Sequence, residues 1–497
     1  MKHIFRSKDS WLYIPIALLA INLIYRLVDQ SKLLFQFPLD YVNDMSSYMA
    51  QLHFVKACGF HNLCPYWYNG FISFQHSPPG WYYATYPLYL LFGDVKSALY
   101  SSILISLALI FIIIYRTRFL NISKTRKIAF FLFFTGNATA IGNFIRLGRA
   151  HELFAWVNFF IFAFILFYYK DNKLDWKFWL AGIFYATTLL TYQGIGIFAI
   201  TLFLGIFLIK PLKEKIQVAA AFLLGLLISS FWWVPFIIKI SKESAIPTLN
   251  QNYWLLLFHP EDIYTNIAAT AISLAVLASF YFYWKSTNKS RKELLFFAPL
   301  LLFDILFLFR LTPFIPALKD IFPDPYLIFF LFFAIFFSLK IDFSKLQPNL
   351  EKVFIFLVIF ITIASISINI LHTPKFFVYN QEYKDAASLL PEIEGRFIIL
   401  GDFTKTIYPK AFYSFTATKN ISSVEGWYPQ VTSPSYLEKL KATNNDFKAQ
   451  DCTSLKSDLK DLNVQTIISN KEDCKTLEKC NYTKGKTQGI FCIYKNL

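Results

Sequence analysis

The feature that most constrains this chain is the length of its apolar runs. A helix needs about 20 apolar residues to cross the hydrocarbon core of a bilayer. Runs near that length recur as far as residue 372, at 10–27, 98–115, 128–145, 153–169, 177–192, 194–209, 216–238, 263–284, 293–309, 325–339 and 352–372. The pair 177–192 and 194–209 meets at a tight Tyr192-Gln193-Gly194 turn. Backbone in lipid must satisfy its own hydrogen bonds, and no barrel-like alternation competes with helices here. Composition agrees: 56% of the 497 residues are hydrophobic and 16% charged, with mean hydropathy +0.43. A soluble domain is nearer one quarter charged. The expectation is a mainly α, polytopic membrane helical bundle of about eleven spans.

Lysines and arginines orient it. With the N-terminus placed in the cytoplasm, the cytoplasmic segments are 1–9, 116–127, 170–177, 210–215, 285–292 and 340–352, and each carries at least three basic residues. The opposite loops are longer and poorer in them. The net charge of +16 is therefore mostly topological, and nucleic acid is not an expected partner. Lys2 to Lys8 before an apolar run also describes a signal peptide, but no clean cleavage site precedes a polar start, so an uncleaved first span is expected.

An odd number of spans puts 373–497 outside. All six cysteines, Cys58, Cys64, Cys452, Cys474, Cys480 and Cys492, fall in the regions expected outside, as disulfides in an oxidising compartment would. Cys58 and Cys64 can close a small loop; the other four allow three pairings.

Two regions outside the membrane are large. Residues 28–97 are rich in Trp, Tyr and Pro, and 44–57 reads as a surface helix with Asp44 as a possible N-cap. Met45, Tyr48, Met49, Leu52 and Val55 share one face, suited to lying along a membrane. Residues 373–497 shift toward Lys, Asp, Asn, Ser and Thr. β-like runs at 396–400, 464–469 and 489–494, with helices at 381–390 and 434–442, indicate a small α/β extracytoplasmic domain of about 120 residues. The domain division is therefore 1–372 and 373–497. No P-loop, GxGxxG or HExxH is present, and the cytoplasmic loops are too short for a nucleotide-binding domain.

Few residues carry candidate chemistry. Asp40 and Asp44 follow the first span, where a carboxylate can serve as general base toward a hydroxyl; the plainer reading is an N-cap and a solvated acid. Arg146, Arg149, His151 and Glu152 crowd one short loop. Arginines suit phosphate recognition and His151 suits proton transfer or phosphate ligation, although arginines at an interface also simply snorkel. Asp304 lies inside a span, which marks it as a functional candidate, and Arg310 opens a Pro-rich loop suited to a lipid phosphate. His76 lies on a turn-rich stretch that can border the same cavity.

The arrangement resembles the C-type (GT-C) multispanning glycosyltransferases, and within them the membrane proteins labelled 6-pyruvoyl-tetrahydropterin-synthase-related. The residues carrying the resemblance are Asp40 and Asp44, Pro65-Tyr-Trp67-Tyr68-Asn-Gly70, Pro78-Pro79-Gly80, Gly148-Arg149-Ala-His-Glu152, and the C-terminal Asp461-Leu-Asn-Val-Gln-Thr-Ile-Ile and Ile493-Tyr-Lys-Asn. The resemblance implies that an acid of the first external loop, Asp44 before Asp40, activates the acceptor. It also implies that Arg146, Arg149, His151 and Arg310 hold the donor's phosphate in a cavity bordered by Glu152, His76, Trp67 and Tyr68. The acidic-pair motif of oligosaccharyltransferases is missing, and no metal site is recognisable, so no cofactor is expected.

The expected function is transfer of a sugar from a polyprenyl-phosphate donor to a glycan, lipid or protein acceptor on the extracytoplasmic face of the cell membrane. The rivals are a transporter or lipid flippase, for which an inverted repeat would be the sign, and a non-catalytic assembly protein presenting residues 373–497.

Overall fold

The computed structural model describes residues 9–36, 44–243, 263–316, 318, 321–345, 348–373, 375, 381–403 and 407–495. Among them the membrane part comprises α1 (Tyr13–Gln36), α2 (Met45–Ala57), α3 (Gly80–Phe92), α4 (Val95–Arg116), α5 (Lys124–Thr135), α6 (Ala138–Arg146), α7 (Ala150–Asp171), α8 (Trp179–Thr191), α9 (Gln193–Ile209), α10 (Leu212–Glu243), α11 (Ile263–Ser286), α12 (Arg291–Leu308), α13 (Pro323–Lys340) and α14 (Pro348–His372).

Seven of these segments are long and apolar enough to cross a membrane: Ser10–Lys32, Val95–Arg116, Ala150–Asp171, Leu212–Lys239, Asn266–Ser286, Pro323–Lys340 and Asn349–Leu371. An eighth span is broken, with α5 and α6 meeting at 49°. The other three expected segments are helical too, but shorter or more polar: α8 and α9 have 13 and 17 residues, and α12 opens with Arg291, Lys292 and Glu293. The protein is thus a multi-pass membrane bundle in which seven or eight helices meet the length test, against about eleven expected.

The break between α5 and α6 has a local cause. Asn137 accepts from the Ala140 amide at 3.0 Å and donates to the Phe133 and Phe134 carbonyls, ending one helix and capping the next. The following Ile141–Arg146 runs as a π-helix, a widened turn that recurs at functional sites.

The core is aromatic. In α7, Trp156, Phe159 and Phe160 are fully buried and ring-pack on Phe329 and Phe332 of α13. At the other extreme, only 6% of the α14 window is buried, so the described residues leave α14 almost uncovered. It is held to α1 by Arg26, which donates to the Asn369 side chain at 2.8 Å and to its carbonyl at 2.9 Å.

Beyond α14 lies the small unit with a sheet, comprising α15 (Gln381–Ser388), β3 (Phe397–Ile399), α16 (Pro409–Ala417), α17 (Pro434–Ala449), α18 (Cys452–Asp461), β4 (Thr466–Asn470), α19 (Cys474–Lys479), β5 (Thr483–Gln488) and β6 (Phe491–Lys495). The strand order is β3-β4-β6-β5, with β3 and β4 parallel and Ile398 opposite Ile467. Three strands match the β-like runs of the sequence. The fourth, β5, reads Thr-Lys-Gly-Lys-Thr-Gln and is an exposed edge, so no apolar pattern announces it. Disulfides join Cys452 to Cys480 and Cys474 to Cys492, and Cys58–Cys64 closes the loop beside a two-strand pair, β1 (Leu63–Cys64) and β2 (Phe71–Ile72).

One expectation needs correction. α2 is not amphipathic on a surface: every residue from Met45 to Val55 is buried. The reason is tertiary, since α16 covers α2 on one side while α3 and α4 pack on others.

Candidate active site

Asp44 immediately precedes α2, but its side chain does not cap that helix. Instead its Oδ2 accepts from Arg149 Nε at 3.3 Å and from the Tyr48 hydroxyl at 3.4 Å. The plainer capping reading of Asp44 is therefore not what the fold uses.

Arg149 is the hub. Its Nη1 donates to Asn143 of the π-helical segment at 2.7 Å and to Asp324 at 3.2 Å, and lies 3.9 Å from Glu152. Burial works against its charge, but Asp324 and Glu152 more than offset this and raise its pKa well above the ordinary arginine value. It remains a guanidinium at any working pH. Three carboxylates, one just before α2 and the others in α7 and α13, thus converge on one cation. Asp324 sits in the first turn of α13, where the helix dipole favours an anion.

The turn delivering Arg149 is tightly specified. Gly148 has φ +65°, and a Cβ there would lie 2.1 Å from Met45 Cγ. Only glycine lets α2 approach this turn.

His151 packs its ring against Tyr48 at 4.6 Å and Tyr192 at 5.2 Å. Glu152 is fully buried. From the C-terminal unit, the Tyr428 hydroxyl lies 3.2 Å from Ser47 Oγ, so residues 424–431 close over α2. The Trp427 ring packs at 5.5 Å on Tyr408, which is 37% exposed, forming an aromatic wall beside the closure.

The other expected site residues lie apart from this cluster. Asp40 falls outside the described residues. Arg146 ends the π-helical segment, within electrostatic reach of Arg26. Arg310 donates to the Phe307 and Asn266 carbonyls and to Thr270 Oγ1, tying α12 to α11. His76 faces Phe236 of α10. Trp67 and Tyr68, expected to border the cavity, contact the C-terminal unit. Trp67 donates to the Tyr413 carbonyl and lies under Gly426, and Tyr68 donates to the Gly426 carbonyl at 2.7 Å. Asp304 is fully buried between α12 and its neighbours. Among the described residues, no group of three or more His, Cys, Asp or Glu side chains is placed to hold a metal; Asp44, Glu152 and Asp324 each face Arg149.

Sequence reading passed over Asp324, Asn143, Tyr428 and Arg26. The available signals were modest: an acid between two prolines in Pro323-Asp324-Pro325, and an aromatic Trp427-Tyr428 pair in a polar region.

No family model matches the sequence, and no curated protein matches it. Solved structures do. The archaeal oligosaccharyltransferase AglB from Archaeoglobus fulgidus, in complex with an inhibitory peptide and a dolichol-phosphate, aligns at 12% identity over 96% of this chain and 74% of its own, with TM-score 0.52. ArnT from Cupriavidus metallidurans aligns at 11% identity over 97% of both chains, with TM-score 0.51. The arabinofuranosyltransferase AftD from Mycobacteria aligns at 13% identity and TM-score 0.61, over 96% of this chain but 41% of its own. This chain has the GT-C fold. At such identities the likeness is one of architecture. Here α2 and α3 lie between α1 and α4, so Asp44 stands at the start of the first insertion of the bundle.

Proposed function

We propose that this GT-C-fold protein is a glycosyltransferase that moves a sugar from a polyprenyl-phosphate-linked donor to an acceptor hydroxyl. The observation that carries this reading is the Asp44 carboxylate: it caps nothing, is part exposed, and is aimed by Arg149 and Tyr48 beneath the closing Tyr428. Asp44 takes the proton as the acceptor oxygen attacks the anomeric carbon, and the polyprenyl phosphate leaves with the electrons of the broken bond. Arg149 acts mainly by positioning, because its Nε and Nη1 already donate to Asp44, Asn143 and Asp324. Arg146 and His151 remain the residues proposed to contact donor phosphate, Arg310 keeps that proposed role although its donors tie α12 to α11, and Glu152 and His76 are proposed to shape the cavity. Asp40 is the second candidate base.

The site is proposed to face the extracytoplasmic side. Basic loops on the opposite side and three disulfides near the C-terminal unit support that orientation. Nucleotide sugars are absent there, so a lipid-borne donor and a glycan, lipid or protein acceptor suit the site. Residues 1–372 form the catalytic membrane domain in this reading, and 373–497 help enclose it. No step is routed through a metal.

The test is transfer of labelled sugar from a polyprenyl-phosphate donor in proteoliposomes, with and without chelator. Accumulation of unreacted substrate inside the vesicles, with no covalent product, would replace this reading with a transporter.

A further inference from the structure

α2 has two differently occupied faces. Ser47 and Tyr48 turn toward Tyr428 and Asp44. Ser46 and Met49, about 100–200° away around the helix, line a separate cleft of about 210 Å³. Asp94 and Lys96, at the start of α4, and Thr418 and Lys419, just after α16, complete it. The cleft is therefore built jointly by the membrane bundle and the C-terminal unit.

Its electrostatics favour an anion. The Asp94 carboxylate caps α4, accepting from the Ser97 amide at 2.9 Å and its hydroxyl at 2.8 Å, and is one acidic group in the lining against the ammonium groups of Lys96 and Lys419. Lys96 and Lys419 approach from different parts of the chain. Lys56 and Lys419 both lie within electrostatic reach of His53, which adds a third cation nearby. Lys32, Lys439, Lys484 and Lys495 each pair with a carboxylate. Lys56 and Lys419, in contrast, rest over the Tyr89 and Phe415 rings and are in no ion pair among the described residues. The positive-inside rule accounts for lysines in the basic loops, but not for these on the opposite side.

The rim is lipidic. Leu90, Leu91 and Phe92 close α3 immediately before Asp94 and are 58%, 75% and 48% exposed. Such a contiguous apolar patch belongs against acyl chains, and α4 begins its crossing at Val95. The cleft therefore opens at headgroup level, with hydrophobic surface on the membrane side and cations on the other.

We infer that this cleft binds the phosphate-bearing headgroup of an anionic membrane lipid, which bridges Lys96 to Lys419 and pins the C-terminal unit onto α2. The site is distinct from Asp44 and stands whether or not the chain transfers sugar.

The test uses the full-length protein in nanodiscs of phosphatidylcholine, with or without phosphatidylglycerol. Retained lipid is counted by native mass spectrometry, and hydrogen exchange is followed over residues 409–420. Wild type is expected to retain phosphatidylglycerol and to gain protection at 409–420. The Lys96→Gln/Lys419→Gln variant is expected to lose about tenfold or more of that retention, and the added protection with it. Equal retention by wild type and variant overturns the site. Equal protection by inorganic phosphate in phosphatidylcholine discs overturns the lipid as its source. If the double variant does not fold, Lys419→Gln alone, at an exposed position, carries the same comparison.

Discussion

Asp44 Oδ2 lies 3.3 Å from Arg149 Nε, while Nη1 of the same guanidinium lies 3.2 Å from Asp324. One cation thus holds two part-exposed carboxylates from the first insertion of the bundle and from its penultimate membrane helix. An acid gripped this way is held in a fixed orientation, as a general base needs to be.

The two acids are expected to separate on mutation. Asp44→Asn should lower sugar transfer by about 10²- to 10⁴-fold, the usual worth of a positioned general base, with little change in melting temperature. Asp324→Asn should cost less, acting through the aim of Arg149. Initial rates and thermal melts of both variants in the same detergent check this. Wild-type rates from Asp44→Asn would remove it as the base.

Arg149→Gln leaves Asp44, Glu152 and Asp324 around an uncharged amide. Removing one partner of a buried charge cluster costs on the order of 3 kcal/mol. Pairing it with Asp324→Asn should recover part of that loss, giving a coupling of about 1 kcal/mol or more. A double-mutant cycle read by chemical denaturation measures the coupling. Strict additivity would show that the contact carries no energy.

Gly148→Ala should destabilise by about 1–3 kcal/mol, because it combines a left-handed backbone with a side-chain clash. Met45→Ala in the same chain removes the clash but leaves the backbone strain of about 1 kcal/mol. Melting temperatures of the single and double variants separate the two contributions.

The contact between α2 and the C-terminal unit should weaken in acid. His53 Nε2 lies 2.9 Å from Asn420 Oδ1 and its Nδ1 3.1 Å from the Tyr89 hydroxyl. Burial lowers its pKa; the Asn420 hydrogen bond opposes that, and Lys56 and Lys419 add to it. The folded state therefore binds its proton less readily than the unfolded chain. Stability rises with pH in this window and is lost as pH falls below the unfolded value of about 6.5 toward the lower folded one. Hydrogen exchange at 409–420 should quicken as pH drops from 7 to about 5 after correction for intrinsic rates, and His53→Gln should flatten that trend.

Much of this was written in the chain itself. Apolar run length dictated membrane helices, because lipid offers the backbone no other partner. Cysteine placement foretold a loop closed by Cys58 and Cys64, though not which of the other four would pair. The GT-C resemblance anticipated the fold, and the crowding of Arg149, His151 and Glu152 pointed to the turn on which Asp44 and Asp324 meet Arg149. Local sequence could not show that Asp324, 175 positions from Arg149, would meet it. That contact depends on how α7 and α13 pack. Nor could it show that α2 would be buried from Met45 to Val55, since its covering surface comes from α3, α4 and residues 409–431. Trp67 and Tyr68 illustrate the same limit: aromatic character foretold burial, but only the tertiary structure decided that they would donate to the Tyr413 and Gly426 carbonyls of the C-terminal unit. Hydropathy acts within one segment and so determined that the chain is a multi-pass helical bundle, though not that only seven or eight of its helices would meet the length test. The site is an agreement among segments distant in sequence, and only their packing could decide it.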